Sequence, residues 1–145
     1  MEIAQTQDST IRKVVYTAKT LAIGGRNGTA KSSDGRLDIK LTPPGEAGSG
    51  TNPEQLFAAG WSACFISAIG GAAKKFKIEL PEPPSIDAEV DLGTNTGGFL
   101  LQARLNVHLP GLEKDVAQQL VDNAHQNCPY SKATRGNIHV QINVV

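Results

Sequence analysis

Cys64 sits in the middle of AAGWSACFISAIGGAA, the uncharged run from Ala58 to Ala73, and the chain's only other cysteine, Cys128, lies in NCPYS. Two readings are open for such a pair. Cysteine is a small hydrophobe that packs readily in cores. Two thiols that meet in a fold can instead carry out thiol–disulfide chemistry. A free thiol of pKa near 8.5 is only about 3% thiolate at pH 7. Burial lowers that fraction by disfavouring the charged form, so a nucleophilic Cys64 needs a cation close by. Cys128, which follows a helical pattern and precedes Pro129, reads either as a small residue filling a corner or as a resolving thiol that attacks an oxidised Cys64.

Arg26 in GGRNG is the best source of the cation. The flanking glycines let the backbone turn sharply and approach another element, and a guanidinium keeps its charge when partly buried and forks two ways. The alternative is a solvated turn arginine. Glu54 suits the first turn of a helix in its own right, and it can also clamp the Arg26 guanidinium through a bidentate pair. His125 and His139 show no paired ligand pattern, and His125 with Cys128 falls short of the three or four ligands a metal site needs. No phosphate-binding loop or dinucleotide fingerprint is present, and the scheme calls for no metal or organic cofactor.

The elements that must position these groups follow from the pattern. IRKVVYTAKTLAI is β-branched and aromatic and reads as a strand; GGRNGTAKSSDG is rich in turn formers; RLDIKL alternates as a short strand. Together they predict an antiparallel meander. Asn52 as cap, Pro53 at the first helical position and a Thr51–Glu54 capping box predict a helix running to about Lys75. It is apolar on nearly every face and so calls for burial all round, which one 145-residue chain supplies with difficulty. A second copy would supply it, so a homodimer is expected. IDAEVDL and FLLQARLNVHL form a hairpin around GTNTGG. EKDVAQQLVDNAHQ is an amphipathic helix with Val116, Leu120, Val121 and Ala124 on one face, stopped at Cys128–Pro129. SKATRG can add one turn, and NIHVQINVV closes as a strand with Ile138, Val140, Ile142 and Val144 on one face. The order βββ-α-ββ-α-β is an α+β layout with mostly antiparallel pairing, in a single domain over residues 1–145.

Acidic and basic side chains balance at 14 each, without runs, which disfavours nucleic acid or an anionic membrane as the main partner. The N-terminus has no basic segment followed by an apolar one. The Ala-, Gly- and Ser-rich composition of the long apolar run favours a buried helix over a membrane span. A cytoplasmic, reducing setting is expected, where a disulfide is more often catalytic than structural.

TNPEQLFAAGWSACF, followed by NCPYSKATRGNIHV, with GGRNG near the N-terminus, resembles the organic hydroperoxide resistance family within the OsmC-like superfamily. The resemblance spans nearly the whole chain, and CPYSKATRGN points to that branch in particular. Asn27 stands where the family often has aspartate, and Trp61 where it often has tyrosine. The resemblance implies the OsmC-like fold, with antiparallel sheets wrapped around central helices in an intertwined homodimer and active sites at the interface. It implies a thiol peroxidase for organic hydroperoxides, fatty-acid ones included, with Cys64 peroxidatic, Cys128 resolving, and Arg26 and Glu54 activating Cys64 and binding peroxide. Reduction by lipoylated protein partners is implied as well. Leu56, Phe57, Phe65 and Ile66 supply an apolar lining suited to such substrates. Two other readings predict different results: a non-enzymatic module holding a lipid or small acid, and a Cys–His hydrolase dependent on His125 or His139.

Overall fold

A computed structural model describes residues 8–145; residues 1–7, over which the leader reading extends, lie outside it. The chain divides into two compact units, one ending at Gly50 and one spanning Thr51–Val145.

The first unit is a three-stranded antiparallel meander of β1 (Thr20–Ile23), β2 (Thr29–Ser32) and β3 (Asp38–Lys40). Ile23 pairs with Thr29 and Lys31 with Asp38, so both connections are tight. β2 falls inside the segment read as turns. The first strand is much shorter than IRKVVYTAKTLAI suggests: residues 11–19 are exposed and outside any strand. Their β-branched side chains favour extension, but a strand persists only where a neighbour completes its ladder, and β2 pairs only from Thr20 onward. Between β1 and β2 a 3-10 turn, Gly25–Asn27, carries Arg26. Gly24 and Gly25 both have positive φ (79° and 66°), and a Cβ on Gly28 would stand 1.7 Å from the Ile23 carbonyl oxygen, so the glycines of GGRNG are sterically required.

The second unit packs a long helix, α1 (Pro53–Phe76), against a sheet and two further helices. The Asn52 side chain accepts from the Gln55 N–H at 2.8 Å. The cap is therefore Asn52, one residue later than a Thr51–Glu54 box would place it, and the Thr51 hydroxyl donates to the Gln55 side-chain oxygen at 2.7 Å. Lys77, left-handed at φ 56°, ends the helix with its N–H directed to the Ala73 and Lys74 carbonyls.

β4 (Ser85–Asn95) and β5 (Gly98–His108) form an antiparallel hairpin closed at Asn95 and Gly98. α2 (Lys114–Asn127) and α3 (Pro129–Thr134) follow, and β6 (His139–Val144) returns parallel to β5, giving the order β4-β5-β6. One sheet face is polar, with Arg104 bridging Glu89 and Asp91. The other, through Ala103, Leu105 and Val107, meets Trp61, Phe65 and Ile69 of α1 and Leu120, Val121 and Ala124 of α2 in one core. Each large side chain removed from water there contributes about 1.5–3 kcal/mol.

Burial of α1 is one-sided in the chain. Trp61, Phe65, Ile69, Ala72 and Ala73 are buried, whereas Ala59, Ala63, Ser67 and Gly71, at four-residue spacing, are exposed. Within one chain α2 and the sheet cover a single stripe, short of the burial all round expected from composition. By length and composition α1 also satisfies the requirement for a membrane crossing, but its largest side chains point into the core of this unit.

Candidate active site

Cys64 faces the start of α3. Its Sγ lies 3.6 Å from that of Cys128, both thiols are free, and Cys128 is fully buried. The sequence explains how residues so far apart meet. Ala124, one turn before Cys128, is buried against the α1 stripe, and Pro129 forces Cys128 into an extended conformation (φ −61°, ψ 123°). The chain breaks there between two helices and turns Cys128 inward. Pro129 then occupies the first position of α3, where a missing N–H costs nothing.

The first turn of α3 docks on a face of α1 formed by Phe57, Gly60, Trp61 and Cys64. The Phe57 ring meets those of Trp61 and Tyr130 edge-on, at 5.4 and 6.2 Å. A Cβ on Gly60 would stand 3.0 Å from the Tyr130 hydroxyl. The Trp61 indole N–H donates to the Ser131 hydroxyl at 3.2 Å, with both side chains fully buried.

The electrostatics of Cys64 within this unit are mixed. Burial pushes its thiol above the ordinary value, and the neighbouring Cys128 thiol adds to that. The Tyr130 backbone N–H, directed at the sulfur, pulls the other way. The sequence suggested that amides at this turn would serve Cys128; the Tyr130 amide serves Cys64. An open groove of about 500 Å³ runs from Cys64 between α1 and α2, lined by Ser67, Ala68, Gly71, Asn123 and Asn127 among others.

Arg26 belongs to the first unit, on its 3-10 turn, and Glu54 to the first turn of α1. Neither is without an interaction partner. Of the apolar residues named from sequence, Leu56, Phe57 and Ile66 are half-buried, while Phe65 is wholly buried in the core, 6.4 Å from the His125 ring. The groove is walled by small and amide side chains and by Lys75 rather than by these four. His125 is held below its ordinary pKa, first by burial and then by Arg135. His139 is exposed on β6. Among the described residues no three His, Cys, Asp or Glu side chains cluster as a metal site would require. The contributions of Tyr130, Trp61 and Ser131 were not read from the sequence. Pro129 directly after a cysteine was the one available signal, since it marks a helix start.

The chain falls in a recognised class: the family model described as OsmC-like protein matches residues 45–143, and the chain belongs to that family. Several of its relatives are named organic hydroperoxide resistance proteins. The one from Xanthomonas axonopodis pv. citri is 53% identical over 134 residues, covering 90% of this chain and 94% of its own. OhrB of Bacillus subtilis is 45% identical over 133 residues, covering 88% and 96%. The crystal structure of OhrB matches with a TM-score of 0.86, covering 91% of this chain and all of the other. That of an organic hydroperoxide resistance protein from Legionella pneumophila matches at 46% identity with a TM-score of 0.85, covering 91% and 98%.

Proposed function

We propose that this protein is a thiol peroxidase that reduces organic hydroperoxides, fatty-acid hydroperoxides included, to alcohols. The 3.6 Å separation of Cys64 and Cys128 is the observation that carries the reading. The Cys64 thiolate attacks the distal peroxide oxygen; the O–O bond breaks, the sulfur takes the hydroxyl, and the departing alkoxide becomes the alcohol by taking up the proton that the thiol released on ionising. Cys64 is then a sulfenic acid, and the Cys128 thiol condenses with it to a disulfide, releasing water. A dithiol, lipoyl-bearing protein in this proposal, restores both thiols by exchange.

Burial works against the Cys64 thiolate, and the Tyr130 N–H offsets part of that. Arg26 supplies the rest in this scheme, held by Glu54, and stabilises the charge that develops on the departing oxygen. Lowering the Cys64 pKa by about three units requires about 4 kcal/mol of differential interaction, which a close, desolvated ion pair can provide and a solvated one cannot. Leu56, Phe57 and Ile66 form the apolar approach for the alkyl group, with Phe65 supporting them from the core. The exposed small-residue face of α1 packs against a second copy of the chain, so that the two units act as one domain of a homodimer in the cytoplasm.

The test is the thiol count and intact mass before and after one equivalent of cumene hydroperoxide. Loss of both thiols with a mass decrease of about 2 Da within one chain is the expected result. Retention of both thiols would identify a binding module, and an acyl adduct with activated esters would identify a hydrolase.

A further inference from the structure

The peroxidase reading leaves unexplained the only buried polar side-chain pair at the thiols among the described residues. Trp61 precedes Cys64 by three residues on α1, and Ser131 follows Cys128 by three on α3. Their hydrogen bond therefore joins the two helices one turn away from the sulfurs, on the same contact face. Both side chains are 0% exposed, so no water is available to replace either partner if the bond is lost. Around the bond, Phe57 and Gly60 seat the Tyr130 ring, and the Thr134 hydroxyl donates to the Tyr130 carbonyl at 2.9 Å. The Arg135 guanidinium donates to the His125 carbonyl and ties the far end of α3 to α2. At its cysteine end, beside the sulfur contact and the Phe57–Tyr130 ring contact, α3 is hydrogen-bonded to α1 by the Trp61 and Ser131 side chains.

We propose that Trp61 and Ser131 are positioning residues that hold the first turn of α3 against α1 and thereby set how fast the disulfide closes. This rests on the peroxidase reading. Closure converts Cys64–SOH and Cys128–SH to Cys64–S–S–Cys128 and water: the S–O bond breaks, the S–S bond forms, and the Cys128 proton leaves in the water. The sulfurs must approach from 3.6 Å to about 2.05 Å, a movement of about 1.5 Å. A first turn of α3 held by the indole keeps Cys128 within that reach; a released one lets it drift. The competing fate is a second peroxide, which converts the sulfenic acid to a sulfinic acid with formation of another alcohol. The ratio of disulfide to sulfinic acid on Cys64 therefore reports closure separately from the first oxidation.

The experiment treats the full chain and its Ser131→Ala, Ser131→Thr and Trp61→Phe variants with increasing cumene hydroperoxide, and reads the ratio by mass spectrometry. Circular dichroism monitors folding. Ser131→Ala and Trp61→Phe are expected to shift the ratio at least tenfold toward sulfinic acid, while Ser131→Thr, which keeps the hydroxyl, stays within about threefold of the parent. Ser131→Ala leaves the indole in place and carries the test if Trp61→Phe does not fold. An unchanged ratio in the folded variants, or a shift in Ser131→Thr as large as that in Ser131→Ala, overturns the proposal. Failure of the unaltered protein to form any oxidised Cys64 is a separate outcome: it removes the peroxidase reading and this inference with it.

Discussion

In Thr51–Val145 the side chains of Trp61, Phe65, Leu105 and Leu120 are wholly buried, whereas in the unit ending at Gly50 Val15, Tyr16, Leu21 and Ile23 are 62–89% exposed. The second unit thus contains its own core and holds the two thiols together by its own packing. The first, among its described residues, is a small sheet with glycine-shaped turns in which Leu41 is the buried apolar side chain, and it carries the arginine proposed to activate Cys64. Under the proposed function, construction of the dithiol and its activation fall to different parts of the chain. Damage to one need not damage the other.

Removing a thiol gives the largest effect. Cys64→Ser is expected to reduce hydroperoxide consumption to background, while Cys128→Ser consumes one equivalent and stops, as a stoichiometric assay with and without dithiol will show. Next is Arg26→Ala, which acts from the first unit. It raises the Cys64 pKa, so the rate of alkylation by iodoacetamide reaches its plateau at higher pH. It also slows the peroxide reaction at pH 7 by at least about 30-fold, the change in thiolate fraction that a shift of about three units back to the ordinary thiol range gives, while leaving the sulfurs able to bridge under diamide. Loss of diamide bridging in this variant would show that the first unit builds the pair as well as activating it.

Stability probes sharpen the same contrast. Leu120→Ala empties a core position and costs about 2–5 kcal/mol by denaturant titration. Leu21→Ala removes an exposed side chain and changes stability by about 0.5 kcal/mol or less. The second measurement belongs in an Ala63→Glu background, which blocks the α1 face proposed for a second copy. Equal losses at the two sites would end the distinction between the units. The smallest effect concerns the polar sheet face. Asp91 is held down to about 2, from 3.8, chiefly by Arg104 and then by Gln102. A depressed carboxylate stabilises the fold above its unfolded pKa, and that contribution disappears as pH falls from about 4 through about 2. Arg104→Gln should move acid unfolding to slightly higher pH with no change in Cys64 reactivity.

What the sequence disclosed tracks how local the cause is. Asn52–Pro53 and the proline after Cys128 act within a few residues, and the corresponding helix ends lie where the pattern put them; the hairpin turns within GTNTGG as read, but β4 continues past Leu92 to Asn95. The strand expected over Ile11–Ile23 shrank to Thr20–Ile23 because its remainder has no neighbour in the meander, which propensity cannot report. The candidate thiols were identifiable by type, but their approach depends on how α3 seats on α1. The Trp61–Ser131 bond spans 70 positions, and no local pattern announces it.

The corner at Cys128 has a polymer consequence. A bridge from there to Cys64 would close a ring of chain 64 positions long, taking in the second half of α1, the whole hairpin and α2. By loop-closure entropy such a ring disfavours the unfolded ensemble by about 4 kcal/mol. The oxidised protein should melt well above the reduced one, and whatever opens the ring must work against that gain, equivalent to roughly 90 mV toward more reducing potentials.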